Sequence, residues 1–167
     1  IDASEPFTNL LCQGMVKDQN GDTMSKSKGN VVPPSSVIEP YGADTMRLSI
    51  LFIAPPEKDF DWDEEAVAGS NRFIKRAWRV VWQLCQSADP EATLNPAGLD
   101  PVSKELNRVL NEMGIKCTDD FDRGQFNTAI SACMEIVNAA SKYVIDVPAE
   151  RRDPALCQRV AHDLVCM

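Results

Sequence analysis

The chain has 167 residues, 44% of them hydrophobic and 25% charged, which is the composition of a globular protein and excludes a disordered or fibrous one. Its net charge of −8 counts against general nucleic-acid binding, unless cations are clustered locally. No apolar run approaches the roughly 18 residues that a membrane span needs.

The first elements predicted are a strand and a polar loop. Residues 8–17 are largely apolar and indicate a strand, which the turn-forming residues 18–22 end. The following stretch, residues 23–33, is rich in serine and lysine and runs into two prolines that no helix can cross. It is therefore predicted to be a loop.

Two short helices should follow this loop. The first is predicted to begin at Pro34 and to end by Gly42. Asp44 is a candidate N-cap for the second, which should end before Pro55. The acidic residues 57–63 predict another loop.

A long amphipathic helix is predicted over residues 64–85, because its first turn is acidic and its apolar residues recur at three- and four-residue steps. These apolar residues are Val67, Phe73, Ile74, Ala77, Trp78, Val81 and Cys85. Trp78 and Trp82 lie one turn apart. We expect both in the core, since helical aromatic residues are more often buried than used for stacking on bases, which is the alternative.

Three further helices are predicted after this one. Asp100-Pro101 combines a cap with a first-turn proline and begins a helix that should stop near Gly114 or shortly beyond. Another helix is predicted over residues 125–145, and a last one from Asp153-Pro154. Together the four helices predict a mainly α protein, with a helical bundle over residues 64–167 behind a short strand-loop-helix segment.

The six cysteines form no C-x-x-C pair, which argues against a structural zinc site and a redox motif. We expect reduced thiols, several of them in the core, as in a cytosolic protein. The single histidine, His162, lies within the last helix and is assigned no role.

A loop rich in lysine and hydroxyl side chains is the segment that carries chemistry. Its residues are Thr23, Met24, Ser25, Lys26, Ser27, Lys28, Gly29 and Asn30. Ammonium, hydroxyl and backbone N–H donors at this spacing can surround a phosphate. The pattern is not that of a Walker A loop, so the residues alone indicate either a phosphate-binding loop or a solvated loop without a ligand.

This loop resembles the K-M-S-K-S signature of class I aminoacyl-tRNA synthetases, with Thr23 in the place of the first lysine. Residues 5–16 are similar to the strand that precedes the loop in the leucyl-tRNA synthetases. Further segments similar to that group, in order and spacing, are residues 28–33, 41–48, 54–62 and 71–79. Isoleucyl and valyl enzymes are the alternative within the class, and a non-catalytic tRNA- or protein-binding helical module is the alternative outside it.

The resemblance implies a partial chain of an enzyme that activates leucine with ATP and Mg²⁺ and transfers it to tRNA(Leu). Lys26 is the one residue expected to be catalytic, through the ATP phosphates. The neighbours implied to bind ATP with it are Thr23, Met24, Ser25, Ser27 and Lys28. No metal ligand and no tightly bound cofactor are expected in this chain, which should be monomeric and cytoplasmic.

The same resemblance divides the chain into two parts. Residues 1–60 would end a Rossmann-type catalytic domain, with the signature loop at 23–27. Residues 61–167 would form a helical anticodon-binding domain, truncated at its C-terminus.

A row of cations on the first bundle helix is a candidate RNA-binding surface. Its members, three and four residues apart, are Arg72, Lys75, Arg76 and Arg79. From the residues alone, a solvated face with local ion pairs is the favoured interpretation, whereas the resemblance implies contact with tRNA. Lys104 and Arg108 are weaker candidates of the same kind.

The 167-residue chain alone is predicted not to catalyse the full reaction. The companion signature of the class, H-I-G-H, needs two histidines, and this chain contains one. We expect no leucine-dependent exchange of pyrophosphate into ATP from the purified 167-residue chain. Exchange above the level of a chain-free blank would contradict this expectation.

Overall fold

A computed structural model describes residues 7–167, and the mainly helical fold is as predicted. The helices are α1 (Ser35–Tyr41), α2 (Ala43–Ile53), α3 (Glu64–Cys85), α4 (Pro101–Asp122), α5 (Phe126–Asp146) and α6 (Pro154–Cys166). Two short strands, β1 (Val16–Lys17) and β2 (Phe60–Asp61), pair in parallel, and a 3-10 helix spans Ala149–Arg151. Residues 5 and 6, with which the family-like strand begins, lie outside the described residues.

Helices α3 to α6 form the predicted bundle around one apolar core. Its largest fully buried members include Leu84 of α3, Leu110 of α4, Ile136 of α5 and Leu156 of α6. Removing such a side chain from water contributes about 1.5–3 kcal/mol each. Helix α2 also packs on α3 and α5, so the N-terminal segment is continuous with the bundle.

Aspartate caps begin three of the bundle helices. Asp63 accepts a hydrogen bond from the backbone N–H of Glu65, Asp100 from that of Val102, and Asp153 from that of Leu156. Each cap satisfies a backbone donor that the helix leaves unpaired, an effect worth about 1 kcal/mol. The two Asp-Pro pairs therefore begin helices as the sequence predicts.

Three predictions about the N-terminal segment are wrong in detail. The strand expected over residues 8–17 is confined to Val16–Lys17, because only there does it meet a partner. That partner is β2, which lies inside the predicted loop 57–63. The N-cap of α2 is Gly42 and not Asp44, which lies in the first helical turn.

Helix α4 is longer than predicted and passes through Gly114 to Asp122. A glycine inside a helix costs about 1 kcal/mol relative to alanine, but α4 buries Leu106, Leu110 and Cys117 on both sides of it. A Cβ at Gly114 would lie 3.3 Å from the Met167 methyl carbon, so the glycine leaves room for the Met167 side chain. Packing therefore outweighs the local propensity to stop.

The buried line of α3 differs from the predicted apolar stripe. The residues fully buried along this helix are Val67, Ser70, Val80 and Leu84, whereas Cys85 is exposed. Two other cysteines, Cys117 and Cys157, are buried as expected. Among the described residues, no helix is long and apolar enough to cross a membrane.

The hydroxyl group of Tyr143 in α5 lies between α4 and the start of α6, so its removal is a test of how these three helices are held together. Its oxygen accepts the backbone N–H of Asp153 at 3.1 Å and lies 3.3 Å from the Ser103 hydroxyl, while 1% of the residue is exposed. We expect Tyr143→Phe to lower the free energy of unfolding by about 1–3 kcal/mol, because the half-buried N–H of Asp153 loses its acceptor.

Urea denaturation at neutral pH measures this loss. Tyr41→Phe is the matched control, since Tyr41 is exposed and its change should stay within about 0.5 kcal/mol. Equal effects of the two substitutions would contradict the role given to the Tyr143 hydroxyl.

Candidate phosphate-binding loop and basic helix face

The signature loop begins where two chain segments, residues 14–17 and 56–62, pass close to each other. The Gly14 N–H donates to the Pro56 carbonyl at 2.8 Å, and the Trp62 N–H donates to the Lys17 carbonyl at 2.8 Å. A Cβ on Gly14 would lie 2.1 Å from the carbonyl carbon and oxygen of Lys58, which no other residue could tolerate. Glycine is therefore required where these segments cross.

The root of the loop is held by the backbone and by Met24. The Met24 N–H donates to the Val16 carbonyl at 2.9 Å, and Thr23 forms an isolated antiparallel bridge with Lys17. The Met24 side chain packs against a small core that contains Trp62. Thr23 and Met24 are thus anchors of the loop, placed beneath its tip.

The tip consists of two overlapping turns that bring the serine hydroxyls together. The N–H of Lys28 donates to the Ser25 carbonyl, and the N–H of Gly29 to that of Lys26. The Ser25 and Ser27 hydroxyl oxygens lie 3.1 Å apart. Gly29 has a φ of 69°, in the left-handed region that glycine adopts without strain.

Asn30 bridges the two sides of the loop. Its side-chain oxygen accepts the Ser25 N–H at 2.9 Å, and its amide nitrogen donates to an Asp18 carboxylate oxygen at 2.8 Å. The other Asp18 oxygen accepts the backbone N–H groups of Asn20 and Asp22. The hydrogen bond from Asn30 is the main reason why the pKa of Asp18 lies below its ordinary value.

The lysines around the loop differ in their charge partners. Lys17 pairs with Asp59 at 3.0 Å, and Lys28 with Asp22 at 2.9 Å. The pKa of Asp59 is lowered first by the Met15 N–H and then by Lys17. Lys26 is exposed and has no carboxylate oxygen within 4.0 Å in the described part of the chain.

The structure therefore brings together Ser25, Lys26 and Ser27 at an exposed tip. This arrangement can offer an ammonium and two hydroxyl groups to an oxyanion. Lys28 lies beside them but is already paired with a carboxylate. Over residues 7–167, no group of three or more His, Cys, Asp or Glu side chains could hold a metal ion.

The predicted cation row lies on the outer surface of α3. Its four members, Arg72, Lys75, Arg76 and Arg79, are all exposed. Within residues 7–167, none of the four makes a salt bridge. The local ion pairs favoured on sequence grounds are thus missing from the described structure, and the row remains an open cationic surface.

The weaker basic candidates on α4 are placed differently. The Arg108 guanidinium donates to the carboxylates of both Glu105 and Glu112, which raises its pKa. Its charge is therefore compensated locally. Lys104 is exposed.

The single histidine, His162, lies on α6, where its Nδ1 atom is 3.2 Å from a carboxylate oxygen of Asp163.

The prediction that Trp78 and Trp82 are core residues is wrong. Trp78 is 77% exposed and Trp82 is 59% exposed. They fall on α3 between the basic row and the buried line, next to Lys75 and Arg79. The sequence pattern places them on the apolar side of the helix, but none of the described helices covers that position.

An open apolar groove of about 710 Å³ continues from Trp78 between α2, α3, α5 and α6. Residues from all four helices line it, among them Leu48, Phe73, Val137 and Leu164. The basic row, the tryptophans and this groove therefore occupy adjoining parts of the α3 surface.

Sequence reasoning misses the residues that brace the loop. It identifies Asp18 only as a turn former, Asp59 only as part of an acidic loop, and Asn30 only as the last residue of the signature segment. An asparagine close behind a loop, with an aspartate before it, is the pattern that could have indicated a side-chain bridge.

Comparison with known proteins gives the family. A family model for class I tRNA synthetases (I, L, M and V) matches residues 1–63. The leucine–tRNA ligase of Thermotoga petrophila is 45% identical over 98% of this chain and 20% of its own length. That of Geotalea daltonii is 50% identical over 85% of this chain and 17% of its own length.

A solved structure is similar over nearly the whole chain. It is the agnB2 LeuRS of Agrobacterium radiobacter K84, crystallised as a ternary complex with tRNA and LeuAMS. The TM-score is 0.79 at 28% identity, and the match covers 96% of this chain and 21% of that protein. The chain thus spans about a fifth of the length of the relatives that it matches.

These matches agree with the signature loop and with the helical fold behind it. Residues 1–63 match the class I tRNA synthetase family, and the relatives extend this similarity to nearly the whole chain. Within that class, the chain is similar over nearly all of its length to the leucine–tRNA ligases, as the flanks of the loop predict.

Proposed function

We propose that this chain is the part of a leucine–tRNA ligase that supplies the loop for the ATP phosphates and a helical surface for tRNA. The observation that carries the first half is Lys26, an exposed ammonium without a carboxylate partner among the described residues, at the tip of a braced loop. Leucine is favoured over isoleucine and valine because the similar proteins are leucine–tRNA ligases.

In the proposed reaction, a carboxylate oxygen of leucine attacks the α-phosphorus of ATP. The bond to the β-phosphate oxygen breaks, leucyl-adenylate forms and pyrophosphate leaves. Negative charge grows on the phosphate oxygens during this step, and a positioned ammonium stabilises it most where it develops. Lys26 would supply that ammonium, with the Ser25 and Ser27 hydroxyls as further donors.

Mg²⁺ enters this proposal with ATP and not as a resident ion. Carboxylates near the tip are engaged elsewhere: Asp18 accepts from Asn30, and Asp22 pairs with Lys28. No metal-binding cluster is found within residues 7–167. Mg²⁺ would neutralise charge on the phosphates, while the residues of this chain supply hydrogen-bond donors.

The second half of the proposal concerns α3 and the helices behind it. Four exposed cations on one helix, in a chain of net charge −8, form a local surface suited to a phosphate backbone. We assign residues 61–167 to tRNA binding and residues 1–60 to the end of the catalytic domain. The whole enzyme would act as a cytoplasmic monomer with leucine, ATP and tRNA(Leu).

The function of the loop is tested by Lys26→Ala in the full-length ligase that contains this chain. We expect adenylate formation to slow by about 10²–10³-fold, the usual effect of removing one donor to a developing oxyanion. The KM for leucine should stay unchanged, because the proposed role of Lys26 is to bind the ATP phosphates and not leucine. Single-turnover activation measures the rate, and leucine-dependent pyrophosphate exchange gives the KM.

Lys28→Ala is the matched control for this experiment, since it removes a lysine that Asp22 already neutralises. Its effect on activation should be clearly smaller. Unchanged activation in Lys26→Ala would remove Lys26 from the catalytic role.

The tRNA surface is tested by single substitutions in the 167-residue chain. Arg76→Ala should weaken binding to tRNA(Leu) and reduce the slope of log affinity against log salt concentration by roughly one, because one fewer phosphate is neutralised. Arg108→Ala removes the same charge from a side chain held by Glu105 and Glu112. Fluorescence anisotropy with labelled tRNA, repeated at several salt concentrations, measures both.

Equal losses of affinity in Arg76→Ala and Arg108→Ala would mean that net charge alone controls binding. That result would contradict a binding surface located on α3. The loop experiment is independent of this one, so either half of the proposal can fail alone.

A further inference from the structure

One side-chain amide connects both sides of the signature loop. The Asn30 oxygen accepts the Ser25 N–H, directly before Lys26, and its nitrogen donates to Asp18, directly after β1. The same nitrogen lies 3.4 Å from the Thr23 carbonyl oxygen. Asn30 is half-buried, so these bonds are partly protected from competition with water.

The hydrogen bonds that hold Asn30 start at Asp18, which directly follows the paired strand β1. One carboxylate oxygen of Asp18 closes the turn over Asn20 and Asp22. Its second oxygen is then directed to Asn30. A chain of hydrogen bonds therefore runs from the paired strand, through Asp18 and Asn30, to the backbone next to Lys26.

Only an amide of this length satisfies both partners at once. Ser25 presents a donor and Asp18 presents an acceptor, so the bridging group must accept on one side and donate on the other. A carboxylate at position 30 would face the Asp18 carboxylate at hydrogen-bonding distance and would repel it. An alanine at position 30 would leave the Ser25 N–H and the Asp18 carboxylate with only water as a hydrogen-bond partner.

We propose that Asn30 is a positioning residue for Lys26, holding the loop tip against Asp18 so that the ammonium is presented to the ATP phosphates. This inference rests on the proposed function of the loop. In this role Asn30 acts through the backbone and not by contact with the phosphates. It restricts the conformations of the backbone that carries Lys26, and catalysis by a positioned group is sensitive to displacements of about 1 Å.

The kinetic test uses the full-length ligase. Asn30→Ala should lower kcat for leucine-dependent pyrophosphate exchange by about 10–100-fold, with the KM for leucine unchanged. Asn30→Asp should lower it at least as much. The pair Asp18→Asn with Asn30→Asp should recover part of the loss, because donor and acceptor have exchanged places and the bridge can form again.

The structural test uses the 167-residue chain and hydrogen exchange. The Ser25 amide donates to Asn30, so Asn30→Ala should speed its exchange by at least about 10-fold while bundle amides remain unchanged. Asn20→Ala is the matched control, since the Asn20 side chain is exposed and only its backbone contacts Asp18. This control should leave the Ser25 amide protected.

The possible outcomes separate the two proposals. Activation that falls in Lys26→Ala but not in Asn30→Ala overturns the positioning role and leaves the function of the loop intact. Activation that is unchanged in both variants overturns the proposed function of the loop as well as the positioning role of Asn30. A doubly substituted enzyme no faster than Asn30→Asp, or unchanged Ser25 exchange in Asn30→Ala, overturns the bridge. Recovery in the pair together with faster exchange in Asn30→Ala supports it.

Discussion

The crossing of Gly14 over the Lys58 carbonyl is the constraint on which the loop depends. Because a side chain at this point would overlap the backbone by more than 1 Å, only glycine lets the two segments come into register. Their contact pairs β1 with β2, and α3 begins three residues after β2. One backbone contact thus fixes both where the loop starts and where the bundle begins.

The same junction links the two proposed activities mechanically. Met24, at the root of the loop, packs in a cluster with Trp62 and with Val67 in the first turns of α3. Arg79 lies 12 residues further along that helix, or about 18 Å at 1.5 Å per residue. A single rigid element therefore connects the base of the phosphate loop with the basic surface.

Local patterns predicted the helices better than the contacts between them. Asp100 and Asp153 begin helices because caps and first-turn prolines act within a few residues. The loop and Lys26 were predictable from the signature, but the bridge from Asn30 to Asp18 was not, since it joins residues 12 apart in the chain. Trp78 was misplaced because periodicity identifies an apolar side of a helix without showing which part of it a neighbour covers.

The open groove beside Trp78 affects how the 167-residue chain behaves in solution. A contiguous non-polar recess of about 710 Å³, bordered by a tryptophan that is 77% exposed, attracts amphiphilic molecules without any unfolding. Environment-sensitive dyes that fluoresce on apolar surfaces will therefore emit in the presence of the native chain. Melting curves recorded with such dyes begin from a high baseline, and circular dichroism follows the helices without that contribution.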